Sequence, residues 1–292
     1  MTTKQSEILP SFFKRKTTLN CRGCLIDVSK PQVMGIINLT PDSFYPQSRV
    51  KSEMEVLNRV EQILKEGGSM VDVGAYSSRP NAQNVSEEEE LERLIPVLKS
   101  IRSHFPDLII SVDTFRALVA EKAIEEGEAD IINDISGGEM DSNMFETIAR
   151  INVPYILMHM KGTPQNMQNN PFYEDVVAEI SLSLSKRVDV LRSLGVNDII
   201  IDPGFGFGKS LEDNYRLLND LDQLSFFELP IMVGFSRKSM IYRFLDISVE
   251  DALNGTTVLN TLALTKGINI LRVHDVKEAV ECVKLVAHLS ET

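Results

Sequence analysis

The stretch "LIISVDTFRALVAEKAIEEGEADIIND", residues 108–134, carries the pattern that decides the fold. It opens on a continuous apolar run that ends in Asp113, passes through a segment of helical period from Phe115 to Glu126, and closes on a second apolar run that ends in Asp134. Continuous apolar runs without alternation are typical of parallel strands that are covered on both faces. The stretch therefore predicts a strand, a helix and a second strand parallel to the first.

The same alternation runs along the whole chain. Eight apolar runs are interpreted as buried strands, namely Val33–Asn38, Met70–Gly74, Leu108–Asp113, Asp130–Asp134, Tyr155–Met160, Ile199–Asp202, Ile231–Gly234 and Ile268–His274. Segments of helical period lie between most of them, namely Met54–Leu64, Ser86–Leu98, Phe115–Glu126, Glu174–Leu194, Leu211–Leu221, Val249–Thr265 and Val276–His288. Eight strand–helix units in about 250 residues predict an α/β protein with a (β/α)8 TIM barrel.

The N-terminal residues 1–31 precede the first of these units. We expect them to form a tail and a β-hairpin that closes the barrel floor, because the Arg-Gly pair in "CRGC" (residues 21–24) is typical of a hairpin turn. No second cysteine pair completes a zinc site with this one. Residues 1–292 are then expected to form a single barrel domain. An open, doubly wound sheet stays the alternative, since alternation alone does not specify closure.

The composition is that of an ordinary globular enzyme, with 43% hydrophobic and 25% charged residues. Acidic side chains number 42 and basic ones 30, and the net charge of −12 argues against nucleic acid or an anionic membrane as the main partner. The sequence shows no signal peptide at its start and no window of about 18 uninterrupted apolar residues. We therefore expect a cytoplasmic protein that acts on small molecules, with no nucleic acid and no membrane partner.

Asp202–Ser210 has the sequence "DPGFGFGKS" and looks like a phosphate-binding loop. The Walker A pattern needs a glycine where Pro203 stands, and the dinucleotide-binding fingerprint needs one where Lys209 stands. Neither pattern is satisfied, so the residues around this segment have to decide what it binds.

Polar residues stand where the predicted strands end. They are Asn38, Asp72, Asp113, Asn133, Asp134, His159, Asp202, Arg272 and His274, with Lys238 just past the seventh strand. The carboxyl ends of barrel strands meet at one face of the molecule, and that face carries the active site in barrel enzymes. These residues are therefore expected to form a ring around one binding site.

One part of this ring suits an anion. Arg272 and His274 are alternate residues of one predicted strand, so both side chains can point to the same side. Asn38 lies on the first strand, which neighbours the last one when the barrel closes. Together the three residues predict a site for a phosphate or a pyrophosphate.

The other part of the ring is rich in hydrogen-bond acceptors. Asp113, Asn133 and Asp202 follow apolar strands that place them deep in the barrel, and buried carboxylates need donors. A heterocycle with adjacent N–H groups, such as a 2-amino-4-oxo ring, would provide those donors bidentately. Lys238 could neutralise part of the acidic charge and donate to a ring carbonyl or nitrogen.

Two predicted loops are longer than simple connections require. They are "NLTPDSFYPQSRVKS" (residues 38–52) after the first strand and "GAYSSRPNAQNVSEEE" (residues 74–89) after the second. Long loops of this kind on the top face of a barrel usually act as functional lids. Both are therefore predicted to cover the site.

Eight motifs together resemble dihydropteroate synthase, a family of pterin-binding TIM-barrel enzymes. They are "MGIINLTPDSF" (34–44), "DVGAYSSRP" (72–80), "SVDT" (111–114), "INDISGG" (132–138), "LMHMKGTPQNMQ" (157–168), "IDPGFGFGK" (201–209), "GFSRKS" (234–239) and "RVHDV" (272–276). They occur in the family's order and span nearly the whole chain. The resemblance implies the same barrel that the periodicity predicts on its own.

This resemblance implies a reaction in which 6-hydroxymethyl-7,8-dihydropterin pyrophosphate and 4-aminobenzoate give 7,8-dihydropteroate and pyrophosphate, in folate biosynthesis. It implies a homodimer, and Mg²⁺ bound at Asn38. The implied catalytic residues are Asp113, Lys238, Arg272 and Arg79. The implied pterin-binding residues are Asp113, Asn133, Met158, Asp202, Phe207, Gly234 and Lys238. Asn38, Arg272 and His274 are implied to bind pyrophosphate, and Asp42, Phe44, Ser78, Arg79, Pro80 and Ser239 to bind aminobenzoate.

Two alternatives stay open at this point. A pterin-binding methyltransferase barrel, which passes a methyl group from methyltetrahydrofolate to a corrinoid, shares the Asp and Asn pterin ligands but has no need of Arg272 with His274. A noncatalytic pterin or folate carrier is the second alternative. The chain departs from the family's common pattern in the two long loops, at Pro46, Ala75, Tyr76, Ser78 and Asn81.

Overall fold

The structure, a computed structural model, describes residues 16–39, 49–76, 85–167 and 171–291. Within these ranges the strands are β1 (Thr18–Cys21), β2 (Cys24–Asp27), β3 (Gln32–Asn38), β4 (Met70–Gly74), β5 (Ile109–Asp113), β6 (Ile131–Asp134), β7 (Tyr155–Met158), β8 (Ile199–Asp202), β9 (Met232–Val233) and β10 (Ile270–Val273). The helices are α1 (Arg49–Lys65), α2 (Glu87–His104), α3 (Ala117–Glu125), α4 (Met144–Ile151), α5 (Val176–Ser193), α6 (Leu211–Asn219), α7 (Ser239–Leu245), α8 (Leu253–Thr265) and α9 (Val276–Glu291). None of the helices in these ranges is long and apolar enough to cross a membrane.

The strands β3 to β10 form one parallel sheet that closes on itself. The strand order is β8-β7-β6-β5-β4-β3-β10-β9. The two edge strands, β8 and β9, are joined by one parallel bridge between Ile201 and Ile231, and the Ile201 N–H donates to the Pro230 carbonyl at 2.8 Å. The predicted (β/α)8 barrel is confirmed, and the open doubly wound sheet is excluded.

The N-terminal hairpin closes the barrel floor, as the sequence predicts. β1 and β2 pair antiparallel, and the two turn residues, Arg22 and Gly23, have φ of 49° and 82°. Positive φ at both central residues is what a two-residue hairpin turn of type I′ requires. Leu19, Cys21 and Val28 of the hairpin segment pack in one buried cluster with the first inward residues of all eight barrel strands, which are Met34, Met70, Ile109, Ile131, Ile156, Ile200, Met232 and Ile270.

Side chains along each barrel strand alternate between the barrel interior and the surrounding helices. Met70 and Ile131 belong to the floor cluster, whereas the next residues, Val71 and Ile132, pack in the larger core between strands and helices. Two residues further along their strands than this floor layer stand Asp72, Ser111, Asn133, Asp202 and Arg272. The interior is therefore apolar at the floor and mostly polar one layer higher, which locates the candidate site towards the carboxyl ends of the strands.

Two short helices are absent from the sequence-based assignment. α4 has eight residues and α7 has seven, so each offers only two helical turns of periodic pattern. A short apolar run cannot be assigned to helix or strand by periodicity alone. In α4 the buried residues Met144, Thr147 and Ile148 cover the barrel between β6 and β7.

Asp130 should contribute strongly to the stability of this barrel. Its carboxylate is fully buried and accepts from Arg22 Nε at 2.6 Å, from Arg102 Nη2 at 2.7 Å and from the Ile110 N–H at 2.7 Å. Replacing Asp130 by alanine leaves the buried Arg102 cation without its described carboxylate partner, so the free energy of unfolding should fall by about 3–5 kcal/mol. Urea unfolding measures this, with Asp189→Ala on the exposed face of α5 as the control; equal midpoints for the two variants would contradict it.

Candidate active site

Arg272 lies at the centre of the polar layer and binds two carboxylates. Its Nε donates to Asp72 Oδ2 at 2.6 Å, and its Nη2 donates to Asp113 Oδ2 at 2.8 Å. The structure therefore joins the cationic and acidic parts of the predicted ring into one network. A guanidinium has five N–H donors, so these two bonds leave others for a ligand.

Asp72 belongs to the predicted ring, but the motifs assign no ligand to it. It is fully buried, and its Oδ2 accepts from Asn133 Nδ2 at 2.9 Å as well as from Arg272. Among the described residues, Asp72 Oδ1, Asn133 Oδ1 and Ser111 Oγ have no hydrogen-bond partner. Buried acceptors without donors are costly, so this layer is suited to a ligand or water that supplies N–H or O–H groups.

Two residues of the predicted ring, Asp134 and His159, do not point into the barrel, because side chains alternate along each strand. Asp134 follows Asn133 and therefore points away from the barrel interior. Its Oδ2 accepts from the Tyr155 hydroxyl at 2.7 Å, and its Oδ1 accepts from the Ser136 N–H at 2.7 Å. His159 follows Met158 and contacts Lys209 in the same way, outside the polar layer. Asp134 and His159 thus belong to the predicted ring in sequence, but their side chains hold neighbouring segments together.

Lys238 and Phe207 lie next to each other at the mouth. Lys238 Nζ donates to the Phe205 carbonyl at 2.5 Å and stands 4.8 Å from the centre of the Phe207 ring. Met158 packs in a small apolar cluster with Ile135, Met160 and Met167, and Phe207 packs against that cluster. A flat ring bound here would have apolar walls and a cation at its edge, as predicted for a pterin.

The turn after β9 fixes the position of Lys238. Arg237 has a φ of 51°, and its guanidinium makes a bidentate pair with Asp275, in which both N–O distances are 3.0 Å. The Ser236 hydroxyl accepts from the His274 N–H at 3.1 Å. The segment "SRK" is therefore bound at two points to the end of β10, the strand that carries Arg272. Gly234 fits the same arrangement, because a Cβ there would lie 3.2 Å from the Arg272 carbonyl.

The buried carboxylates and the lysine have pKa values shifted towards neutrality. Burial raises the pKa of Asp113 to about 7; Arg272 opposes this shift and Asp72 adds to it. Burial likewise raises the pKa of Asp202, against the opposing effect of Lys238. Burial lowers the pKa of Lys238 to about 8, and Asp202 opposes this shift. Titratable groups that are shifted in this way and gathered in one cleft are typical of a functional site.

The remaining predicted residues lie around this network or outside the described ranges. Asn38 is exposed at the end of β3, His274 is half-buried two residues after Arg272, and Ser239 begins α7. Five predicted aminobenzoate ligands lie outside the described residues, namely Asp42, Phe44, Ser78, Arg79 and Pro80, and so do Pro46 and Asn81.

Tyr76, which departs from the family's common pattern, is described at the start of the second long loop. Its ring packs edge-to-face on Phe115, with ring centres 5.0 Å apart. The Arg116 guanidinium lies 5.5 Å from the Tyr76 ring and donates to the Val85 carbonyl at 2.6 Å. Arg116 therefore contacts the chain on both sides of residues 77–84.

The residues present fit Mg²⁺ only as a metal shared with a ligand. Among the described residues, no group of three His, Cys, Asp or Glu side chains could hold a metal ion alone. Mg²⁺ usually keeps several waters and is bound through one or two protein oxygens together with substrate phosphates. Asn38 meets that requirement, because its exposed amide supplies an oxygen at the carboxyl end of β3, the strand that pairs with β10, which carries Arg272.

Comparisons with known proteins show the family to which this chain belongs. A family model described as "Pterin binding enzyme" matches residues 34–274. A dihydropteroate synthase of Haemophilus influenzae is 42% identical over 262 residues, which cover 89% of this chain and 94% of that protein. The crystal structure of Yersinia pestis dihydropteroate synthase with a sulfonamide drug has a TM-score of 0.86 at 38% identity, and covers 94% of this chain and 99% of its own.

A structure of Xanthomonas albilineans dihydropteroate synthase with 4-aminobenzoic acid is similar to a comparable degree. Its TM-score is 0.86 at 34% identity, with 94% of this chain and 99% of that chain covered. The barrel of this chain agrees with the two solved structures, as their TM-scores show. The resemblance predicted from the motifs is thus confirmed, and the chain belongs to the dihydropteroate synthase family of pterin-binding enzymes.

Proposed function

We propose that this chain is a transferase that joins 6-hydroxymethyl-7,8-dihydropterin pyrophosphate to 4-aminobenzoate, forming 7,8-dihydropteroate and pyrophosphate in folate biosynthesis. The observation that carries the proposal is the polar layer of the barrel. Arg272 stands there between Asp72 and Asp113, next to Asn133, above an apolar floor. It combines a cation for a leaving anion with buried acceptors for the N–H groups of a pterin.

In the proposed mechanism the bond between the pterin methylene carbon and pyrophosphate breaks, and its electron pair leaves with the oxygen. The positive charge that remains is spread into the pterin ring, next to Asp113 and Asp202. The lone pair of the aminobenzoate nitrogen then forms the carbon–nitrogen bond, and that nitrogen loses a proton. No nucleophilic side chain is required for these steps.

The chain's own residues contribute binding and electrostatics to this mechanism. Arg272, held in place by its two carboxylates, stabilises the departing pyrophosphate. Lys238 donates to the pterin ring edge, and Phe207 with Met158 excludes water from its faces. Asn38 would hold Mg²⁺, which supplies positive charge to the pyrophosphate oxygens when it is bound.

Pyrophosphate release tests the proposed function. The parent protein should release pyrophosphate from the pterin substrate only when 4-aminobenzoate is present, with one dihydropteroate formed for each pyrophosphate. A noncatalytic carrier would bind the pterin and release nothing. A methyltransferase barrel would leave the pyrophosphate ester intact and accept methyltetrahydrofolate instead, so either result would contradict the proposal.

The shifted pKa values predict a narrow pH optimum for the free enzyme. Asp113, with a pKa of about 7, has to be ionised to stabilise the positive pterin, so kcat/KM should fall as the pH drops below about 7. Lys238, with a pKa of about 8, has to be protonated to donate, so kcat/KM should also fall above about pH 8. A profile of kcat/KM for the pterin substrate measures both limbs. Lys238→Met should remove the alkaline limb; its survival in that variant would assign the limb to another group.

We propose a homodimer in which a second copy covers α7 and α8. Large apolar side chains are exposed there, with Phe244 at 62% and Val258 at 49% exposed, and Leu245 and Leu262 alongside. Contiguous exposed apolar surface marks an interaction site. Sedimentation velocity should give a dimer for the parent and a monomer for Val258→Asp, whereas Leu182→Asp on α5 should stay dimeric. The cytoplasmic location likewise stays a prediction.

A further inference from the structure

Lys209, the lysine of the segment that looks like a phosphate loop, is buried inside that loop. Only 4% of its surface is exposed. Its Nζ lies 2.8 Å from the Gly204 carbonyl, 3.1 Å from the Phe207 carbonyl, and 3.2 Å from His159 Nδ1. An ammonium group has three N–H donors, so these three acceptors can use all of them.

The surroundings of Lys209 are those of an internal anchor. Among the described residues no carboxylate lies within ion-pair distance of it, so its direct partners are carbonyl oxygens and an imidazole, and Asp202 and Asp213 favour its charge from beyond that distance. His159 can accept from Lys209 only as a neutral ring, and burial together with the Lys209 charge lowers the pKa of His159 to about 2. The contact between Lys209 and His159 therefore connects the loop after β8 to the end of β7.

The loop follows a path that only glycine allows at its closest point to β7. Gly204 has a φ of +71°, and a Cβ at this position would lie 1.9 Å from the His159 carbonyl oxygen. The Gly204 N–H donates to Asp202 Oδ1 at 2.7 Å, while its carbonyl accepts from Lys209. Gly204 is therefore hydrogen-bonded both to Asp202, a predicted pterin ligand, and to the buried Lys209.

The same loop carries two further parts of the pterin pocket. The Phe205 carbonyl accepts from Lys238 at 2.5 Å, and the Phe207 ring lies 4.8 Å from Lys238 Nζ. Lys209 holds the carbonyls on either side, those of Gly204 and Phe207. Residues 204–207 are therefore bound by two lysines, and only one of the two is a predicted ligand of the substrate.

We propose that Lys209 is a positioning residue for the pterin pocket. Its buried ammonium group holds residues 204–207 in the conformation that places the Phe207 ring and Lys238 against the pterin, and it does not bind phosphate. The inference deepens the proposed function and rests on it, because the ligand of the pocket is taken to be a pterin.

The test compares Lys209→Met with Lys99→Met, a matched loss of a lysine on the exposed face of α2. Burial lowers the pKa of Lys209 to about 7, an effect that Asp202 and Asp213 oppose and Lys238 adds to, so binding is measured below that pH. Calorimetry gives the Kd of two ligands, 6-hydroxymethylpterin without pyrophosphate and the full pterin pyrophosphate. Loss of a charge-assisted anchor should raise both Kd values in Lys209→Met by the same factor, about tenfold or more. The KM for 4-aminobenzoate at saturating pterin should stay unchanged.

Two results would overturn the proposal. If only the pyrophosphate-bearing ligand loses affinity, Lys209 is a phosphate ligand; if neither Kd differs from that of Lys99→Met, Lys209 positions nothing in the pocket. Turnover by the parent is measured separately, so a failure of the proposed function shows as absent dihydropteroate while binding of 6-hydroxymethylpterin still tests Lys209.

If Lys209→Met does not fold, a measurement on the parent protein tests the positioning role of Lys209. Nuclear magnetic resonance of lysine ammonium groups labelled with nitrogen-15 should show one slowly exchanging signal, with couplings across hydrogen bonds to the carbonyl carbons of Gly204 and Phe207. Inorganic pyrophosphate should leave this signal in place, and 6-hydroxymethylpterin should slow its exchange further. A signal that shifts with pyrophosphate, or that exchanges as fast as the exposed lysines, would contradict the positioning role.

Discussion

Replacing Arg272 by methionine is expected to lower kcat/KM for dihydropteroate formation by about a thousandfold. The substitution removes the cation that faces the departing pyrophosphate. It also leaves the fully buried Asp72 carboxylate with the Asn133 amide as its only described partner. Steady-state kinetics measures the first effect and urea unfolding the second, for which we expect a loss of about 3 kcal/mol.

Two further variants separate catalysis from folding in this prediction. Arg192→Met, at an exposed position on α5, should leave both kinetics and stability at the parent level. Asp72→Asn combined with Arg272→Met should recover stability, because the buried negative charge is gone, but should not recover activity. Recovery of both would mean that Arg272 acts only through the fold.

Replacing Asp202 by asparagine should raise the KM for the pterin substrate by about a hundredfold or more, with little change in the free energy of unfolding. Asparagine keeps an oxygen that can accept from the Gly204 N–H, which lies 2.7 Å from Asp202 Oδ1, so the loop should survive. The new amide group, however, would present N–H donors where the pterin also presents donors. The KM for 4-aminobenzoate at saturating pterin should not change.

The control for this substitution is Asp189→Asn, which changes charge in the same way at an exposed position. Equal effects on the two substrates in Asp202→Asn would contradict the assignment of Asp202 to the pterin. So would a pterin KM that matches the control.

The barrel could be predicted from the sequence because its signal is repeated eight times. Each apolar strand must be covered on both faces, and the helices that cover it have their own period, so errors at single boundaries do not alter the class. The hairpin was predictable for a local reason, since Arg22 and Gly23 form a turn of known geometry. α4 was not predicted, because eight residues contain too few turns for a periodic pattern.

The sequence predicts that several polar residues meet at the strand ends, but it does not predict the contacts between them. Strand ends on one face place Asp113, Asn133, Asp202 and Arg272 together, whatever the details of packing. The pair between Arg272 and Asp72 spans 200 residues of sequence and crosses the intervening strand β3, so it depends on the reach of one side chain inside the closed barrel. The alternation rule identifies Asp72 as an inward residue, but the strand pattern does not state which cation it binds.

The barrel closes between β8 and β9 through a single bridge, so its wall has fewer backbone hydrogen bonds there than between the other strands. Asp202 is the last residue of β8, and Lys238 follows the end of β9 by a few residues. The bond from Lys238 to the Phe205 carbonyl already crosses the gap. A pterin bound to both Asp202 and Lys238 would form a second connection between the two edge strands. The bound substrate would then connect the two edge strands of the barrel, and release of product would remove that connection.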